Sequence, residues 1–521
     1  MLRFLRGLRN IVRLVEIVLT LARYDALFPL EGVTGIAGAV SAARLLRLLR
    51  RRDAAIAKLR PGQRLAEALT ALGPSFIKLG QALSIRADLI GDEVAADLAL
   101  LQDRLPPFPG AEARATIERE LGQPIATLFR SFGEDAIAAA SIAQVHFAET
   151  AEGEPVAVKV LRPGIETAFE RDIALFFWIA GVIERFEPRV RRLKPREVVM
   201  TLAQSVRLEM DLRFEAAGAS ELGENFKDDP TFRVPPVDWR RTSRQVLTSG
   251  RVGGIRIDDR AALLAAGHDL RAIMEKAARA FFNQVFRDGF FHADLHPGNL
   301  FIDPDGAIVA VDFGIMGRLD RKTRDYLADM LLAFLTGDYM RVADVHFEAG
   351  YVPSHHSRAA FAQACRAIGE PILGRPMHEI SLGRLLAQLF QVTEAFDMET
   401  QPQLLLLQKT MVVAEGVGRM LDPTVNMWTL ARPLIEDWMR ENRGPEARIA
   451  AALRDTFEAL ERLPGLLRNL EHAAGLIGGG DGLPLHPSSL AQIARRGAIE
   501  LLGVPLWIIA LALAAIAFRV W

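Results

Sequence analysis

With 521 residues, half of them hydrophobic and about a quarter charged, the chain exceeds one ordinary domain and can bury a sizeable core. A formal net charge of −1 argues against bulk nucleic-acid binding. The single cysteine, Cys365, excludes disulfides and cysteine metal clusters, points to a reducing compartment and reads as a small core residue.

The near-neutral balance hides an asymmetry. Residues 1–60 carry twelve Lys/Arg against four acids, a local charge of +8. At helical pitch Phe4, Leu8, Ile11, Val15 and Val18 share one face, and Arg6, Arg9 and Arg13 share another. That pattern suits a helix lying on an anionic lipid surface, with packing against the protein body as the alternative. Arg13 and Glu16 interrupt the apolar region, so this is not a clean signal peptide. Residues 61–125 predict a helical extension that contains Lys78-Leu79-Gly80-Gln81 and breaks at Pro106-Pro107-Phe108-Pro109.

Residues 126–250 predict a small lobe of a few strands, an Ala-rich turn at Ala138, Ala139, Ala140 and Ser141, and helices. Pro155-Val156-Ala157-Val158-Lys159-Val160 is a β-branched run with a lysine where a kinase Val-Ala-x-Lys strand places the residue that contacts the α- and β-phosphates. Taken alone, it reads equally well as a surface strand. A kinase lysine needs a glutamate on a following helix. The stretch Ser205–Glu215 offers Glu209 and Glu215, six apart and roughly 120° from facing together on one helix, which suggests two different partners.

Residues 251–445 predict a helical large lobe. It contains His292-Ala293-Asp294-Leu295-His296-Pro297-Gly298-Asn299, then Asp312-Phe313-Gly314, with the turn Pro304-Asp305-Gly306 between two apolar runs. These are the two halves of a kinase-type phosphoryl-transfer site. Asp294 would orient or deprotonate the acceptor, and Asn299 and Asp312 would hold Mg2+. Either half alone is a weak signal that reads as a polar loop before a helix cap. Both in order, 18 residues from Asp294 to Asp312, are much stronger. Apolar helical periodicity continues through Leu404–Met420. The sequence shows no flavin-type Gly-x-Gly-x-x-Gly, and no pair of histidines with a carboxylate convincingly spaced for non-haem iron. Direct oxygen chemistry is therefore not expected.

Residues 446–497 predict a helical and linker region with a breaker-rich stretch, Gly478-Gly479-Gly480-Asp481-Gly482-Leu483-Pro484. Leu501–Phe518 is an 18-residue run without a charge. At about 1.5 Å per residue it spans roughly 27 Å, close to a bilayer core, and predicts a transmembrane helix over 498–521. Arg495 and Arg496 on its N-terminal flank would keep the kinase body cytoplasmic. A buried or hairpin-forming helix is the alternative.

With these motifs together, the chain resembles the UbiB family of atypical kinases, bacterial relatives of the mitochondrial ADCK/Coq proteins of ubiquinone biosynthesis. Four features carry the resemblance beyond a generic kinase: Lys78-x-Gly80-Gln81, Gln102-Asp103-x-x-Pro106-Pro107, the Ala138–His146 nucleotide loop, and Glu209-x-Asp211. The likeness runs from residue 60 to 425. It implies an α+β, bilobal protein-kinase-like fold, helix-rich, with an N-terminal helical extension and a C-terminal transmembrane helix. It also implies ATP and Mg2+ as cofactors and pairs Glu209 with Lys78 and Glu215 with Lys159. In the family the Lys-x-Gly-Gln segment folds over the place of a protein substrate. That implies an ATPase or a small-molecule or lipid kinase, with Lys78, Gln81 and Glu209 as a regulatory latch. The expected setting is the bacterial inner membrane, with membrane lipid, polyprenyl quinone precursors, ubiquinone-biosynthesis enzymes and a second copy of the chain as partners.

Two other classes compete. An aminoglycoside-type small-molecule phosphotransferase shares the His-x-Asp motif, but the N-terminal extension and apolar tail argue against it. A nucleotide-binding scaffold without chemistry is opposed by the intact Lys159, Asp294, Asn299 and Asp312. Two departures from the family pattern stand out. Ser249-Gly250-Arg251 replaces a Glu-Trp-like pair at the hinge, and Gly218 stands where Asn is usual, which should loosen the helix locally. The methyls of Ala138, Ala139 and Ala140, where ordinary kinases place glycines, should stiffen the phosphate loop and alter nucleotide preference.

Overall fold

Alternating burial along one short strand organises the first lobe. In β4 (Pro155–Leu161), Val156, Val158 and Val160 face a core of Phe108, Ile117, Leu128, Phe129 and Val246, while Ala157 and Lys159 point the other way. β4 lies in a five-stranded antiparallel sheet with β1 (Phe129–Phe132), β2 (Ala138–Ala139), β3 (Ala143–Thr150) and β6 (Val246–Gly250), in the order β1-β3-β4-β6 with β2 on β3. The computed structural model describes residues 2–28, 56–84, 90–99, 101, 105–186, 195–371, 391–393, 395–398, 402–422 and five positions between 433 and 440. All but the last of these belong to one compact unit, Met1–Trp438.

A second core joins the sheet to the helices around it. α1 (Leu2–Arg23), α2 (Pro61–Leu72), α3 (Pro74–Ser84) and α4 (Asp92–Ala99) form the N-terminal extension, and α5 (Gly110–Leu121) precedes β1. α6 (Ile165–Phe186), α7 (Pro195–Glu209) and α8 (Leu212–Asn225) lie between β4 and β6 in sequence. Ile17, Leu21, Leu65, Leu69, Phe76, Ile77, Leu175, Leu202, Leu212 and Leu247 share one buried cluster, which reaches Ile142 and Ala143 at the Ala-rich turn. The extension is therefore built into the same core as the first lobe.

Three expectations change here. α1 docks on the body by Ile17, Val18, Leu21 and Ala22, and Arg13 is turned inward. Arg13 sits 3.3 Å from the buried Asp172 and over the Phe76 ring. Attraction to a buried carboxylate rotates this part of the helix away from the face read from periodicity, leaving Val12, Val15 and Leu19 exposed at 64%, 52% and 45%. The stretch Ser205–Glu215 is not one helix. α7 ends at Glu209, and Asp211 caps α8, its carboxylate accepting from the Arg213 N–H. Gly218 does not merely loosen α8. A Cβ there would lie 3.1 Å from Met316 Cγ and 3.5 Å from Phe313 O, so glycine lets α8 approach the Phe313–Met316 segment closely.

The second lobe carries two small sheets among helices. β8 (Phe290–His292) pairs with β11 (Met316–Arg318). β5 (Phe232–Arg233), β10 (Ile308–Ala310), β9 (Leu300–Ile302) and β7 (Ile255–Arg256) form the other sheet in that order. α9 (Leu270–Phe282) runs into a π-turn, Asn283–Asp288, just before β8. α10 (Arg321–Thr336), α11 (Tyr339–Glu348) and α12 (Arg358–Gly369) enclose Phe361 and Cys365. The thiol is pushed up to about 12 by burial, as a core cysteine should be. α13 (Pro402–Leu421) follows the expected apolar period. The glycine-rich linker and the apolar run 501–518 lie outside the described residues. Among the described residues no helix is long and apolar enough to cross a membrane.

Candidate active site

Lys159 projects from β4 between two carboxylates. Its ammonium is 2.8 and 2.9 Å from the two oxygens of Glu215 and 3.0 Å from Asp312 Oδ1. The break at Asp211 makes this possible, because it starts α8 afresh and turns Glu215 toward β4. Glu215 and Lys159 are nearly closed off, at 8% and 18% exposure, whereas the Asp312 side chain is 49% exposed and open to the cleft. Burial pushes the Glu215 carboxyl up to about 7, against the pull of Lys159. The Lys159 charge holds Asp312 down to about 2. Burial lowers the Lys159 ammonium, but Asp312 and Glu215 outweigh it and the net shift is upward. Asp312 also holds a left-handed backbone, φ 64°, the kind of local strain kept where surroundings over-determine a conformation.

The His292–Asn299 loop is cross-braced to the segment that carries Asp312. His292 Nδ1 accepts from the Asp294 N–H at 3.1 Å, so Nε2 carries the proton and donates to Val311 O at 3.2 Å. Complete burial favours this neutral imidazole. The Asn299 amide donates to Asp294 O at 3.1 Å, which leaves its carbonyl oxygen for another partner, and Val311 N–H bonds to Asn299 O. The buried Gln284 side chain holds the His292 N–H. His292 and Gln284 were not assigned roles from sequence, although the His of His-x-Asp was the available signal.

The Ala-rich turn needs no glycine. Ala138 and Ala139 pair with Val145 and Gln144 as β2, and Ala140 N–H bonds to Ala143 O at 2.8 Å, with none of these residues at positive φ. Ser141 is fully buried, and its hydroxyl has no partner among the described residues. Gln144 grips the Pro-rich segment through both backbone groups of Phe108, and Arg162 bonds Pro106 O and Ala140 O. At the hinge, Arg251 stacks on Phe147 at 3.8 Å.

Lys78, on α3, meets Glu209 at the end of α7 at 2.7 Å, with both side chains largely covered. The Lys78 charge also reaches Asp312 and helps lower its pKa, so the extension stands close to the Lys159–Asp312 cluster. Gly80 serves packing within the extension itself: a Cβ there would lie 2.8 Å from Leu69 Cδ1 and 3.4 Å from Leu101 Cδ1. Gln81, three residues on from Lys78, is half-buried on the same face.

One contact had no sequence signal. Lys409, from α13, places its ammonium 2.8 Å from Asp294 Oδ1. The two residues are 115 positions apart, and α13 reads in sequence as an apolar helix with one lysine.

A lysine held by a helix glutamate, an aspartate of Asp-Phe-Gly beside it, and a braced Asp294–Asn299 loop define the site of a kinase-like fold. The ABC1 atypical kinase-like domain matches residues 100–346, and the UbiB helical domain matches residues 365–426. A Marinobacter nauticus protein named probable protein kinase UbiB is 46% identical over 78% of this chain and 75% of its own. One from Pseudomonas putida, of the same name, is 41% identical over 86% and 83%. A solved Mycobacterium tuberculosis structure, Rv3197 in complex with erythromycin, shares 25% identity and a TM-score of 0.51, covering 68% of this chain and 91% of that one. The chain belongs to the UbiB family of atypical kinases, the family its motifs resemble.

Proposed function

We propose that the protein is a membrane-associated, Mg-ATP-dependent atypical kinase or ATPase that acts on or mobilises polyprenyl quinone precursors in ubiquinone biosynthesis. The observation that carries this reading is Lys159 clasped between Glu215 and Asp312, within reach of the Lys78–Glu209 pair. The donor set fits the cofactors. The half-exposed Asp312 carboxylate and the Asn299 side-chain oxygen are hard ligands suited to Mg2+, and the Ser141 hydroxyl, without a partner among the described residues, lies in the turn assigned to the nucleotide. Bound Mg-ATP would supply the transferable phosphoryl group and the metal charge that neutralises it. Lys159, kept in place by Glu215, would hold the α- and β-phosphates. Ala138, Ala139, Ala140 and Ser141 would cover them with a stiff turn. Asp294 would orient the acceptor, with Lys409 beside it.

Lys78, Gln81 and Glu209 form a latch across the place of a protein substrate, which favours ATP hydrolysis or a small lipid acceptor. The +8 N-terminal segment and the exposed Val12, Val15 and Leu19 stripe support attachment to the cytoplasmic face of the inner membrane. The apolar run 501–518 would be a second anchor. The deciding experiment measures ATP hydrolysis with and without anionic liposomes and a prenylphenol, beside Asp312→Asn. The expected result is stimulation by lipid and loss of turnover in the variant. Full Mg-ATP binding and turnover by Asp312→Asn would remove the centre of this reading.

A further inference from the structure

Outside the phosphoryl-transfer cleft, two histidines and a carboxylate converge. His355 and His356 lie in the loop between α11 and α12, and Asp397 lies in the segment 395–398. His356 Nε2 is 3.2 Å and His355 Nε2 is 3.8 Å from the same oxygen, Asp397 Oδ2. Ligand atoms of all three lie within 4.8 Å of one another. The sequence offered no histidine–carboxylate spacing of this kind, because Asp397 reaches His356 from 41 positions away.

The distances discriminate between two uses of the cluster. A separation of 3.2 Å is a hydrogen bond, but 3.8 Å is too long for one, so hydrogen bonding to Asp397 accounts for His356 and not for His355. Two ligands on a tetrahedral zinc-type ion, each about 2.0–2.1 Å from the metal, stand about 3.3 Å apart. The observed pair of separations brackets that value. The two imidazoles belong to successive residues, yet their centroids are only 4.1 Å apart, both turned toward one carboxylate.

The framework beneath is packed. The His356 ring lies 5.3 Å from Phe396, which packs edge-on at 5.0 Å against Phe361, a core residue at 1% exposure. Asp397 has φ 49° and follows a short helical turn closed by Met398 N–H on Thr393 O. Glycine or asparagine is the usual residue at such a left-handed helix end. Here it carries the carboxylate that faces both histidines.

We propose that His355, His356 and Asp397 bind a divalent transition-metal ion of the zinc type, which staples the loop before α12 to the segment 395–398. Two imidazole nitrogens and one carboxylate oxygen are a borderline-soft set, suited to Zn2+, Co2+ or Ni2+ and unlike the hard oxygens of Asp312 and Asn299 that suit Mg2+. His355 and Asp397 are 68% and 69% exposed, so the remaining coordination position opens to water.

The test uses the full, untagged chain, stripped of transition metals and kept in excess Mg2+. Co2+ is titrated in and read by its visible d–d absorption and by Tm. The expected result is one Co2+ per chain with a tetrahedral-type spectrum, displaced by Zn2+, together with a rise in Tm. His355→Gln and Asp397→Asn should each weaken Co2+ binding by more than about tenfold, the lower end of the cost of losing even an outer hydrogen-bond partner of a metal ligand. Asp397→Asn keeps an acceptor for His356, so lost binding in a variant with unchanged Tm in the metal-free state reports ligation rather than misfolding. Failure of the wild-type chain to bind Co2+ saturably overturns the proposal, as does undiminished binding by both variants.

Discussion

Lys159–Glu215 and Lys78–Glu209 use the same chemistry in different surroundings. Their glutamates flank one helix break, Glu209 ending α7 and Glu215 entering α8. Lys159 has a second carboxylate, Asp312, so one ammonium serves two acids and the set keeps a surplus negative charge facing the cleft. Lys78 and Glu209 meet at 2.7 Å, 12% and 14% exposed, between the extension and the first lobe, and the Lys78 charge also reaches Asp312. The acidic surplus at Lys159 can still receive a cation, whereas the largely covered Lys78–Glu209 contact joins two elements. On the function proposed above, that difference separates a site from a latch.

The largest expected effect comes from breaking the unbalanced set. Lys159→Ala leaves Glu215 and Asp312 facing each other without a counter-charge. ATP hydrolysis should fall by about 10²–10³-fold or more, and calorimetric nucleotide binding should weaken with it. Lys78→Ala should instead destabilise the fold by about 3 kcal/mol, the low end for a partly covered pair that loses one member. It should leave ATP binding near normal while autophosphorylation rises. If Lys78→Ala reproduced the Lys159→Ala binding defect, the distinction between site and latch would collapse.

A pH series sharpens the comparison inside the first cluster. Burial raises Glu215 to about 7, above its ordinary 4.5, so its contribution to stability is complete below about 4.5 and is lost as pH rises through about 7. Asp312 has the opposite sign. Lys159 holds it at about 2, below its ordinary 3.8, so its contribution is present above 3.8 and is lost as pH falls through about 2. Glu215→Gln should therefore flatten the fall of Tm between pH 4.5 and 7 without changing the acid side. A wild-type slope in that variant would place the titration elsewhere.

The smallest stability effect belongs to the exposed pair, Lys409–Asp294, at 43% and 36% exposure. Lys409→Ala should change stability by less than about 1 kcal/mol. Its consequence should appear in turnover, and wild-type turnover in this variant would make Lys409 a bystander.

Much of the small lobe was legible from local chain chemistry. Period-two burial around Val156, Val158 and Val160 marks a strand and sends Lys159 to the opposite face, and Asp294, Asn299 and Asp312 share loops that local spacing can specify. The angle between Glu209 and Glu215 indicated two partners, although the reason was a cap at Asp211 rather than rotation around one helix. The face of α1 was misread because periodicity weighs Arg13 as a surface residue and does not register the buried Asp172 that draws it inward.

The sequence by itself determined the kinase-like class, the family and the candidate phosphoryl-transfer residues, because strand alternation and motif spacing act over a few residues of backbone. Only the tertiary structure decided that Lys409 meets Asp294, that Gly218 admits the Phe313–Met316 segment, and that Asp397 faces His355 and His356. Each of those contacts joins residues distant in sequence, and its geometry follows from tertiary packing rather than from any local period.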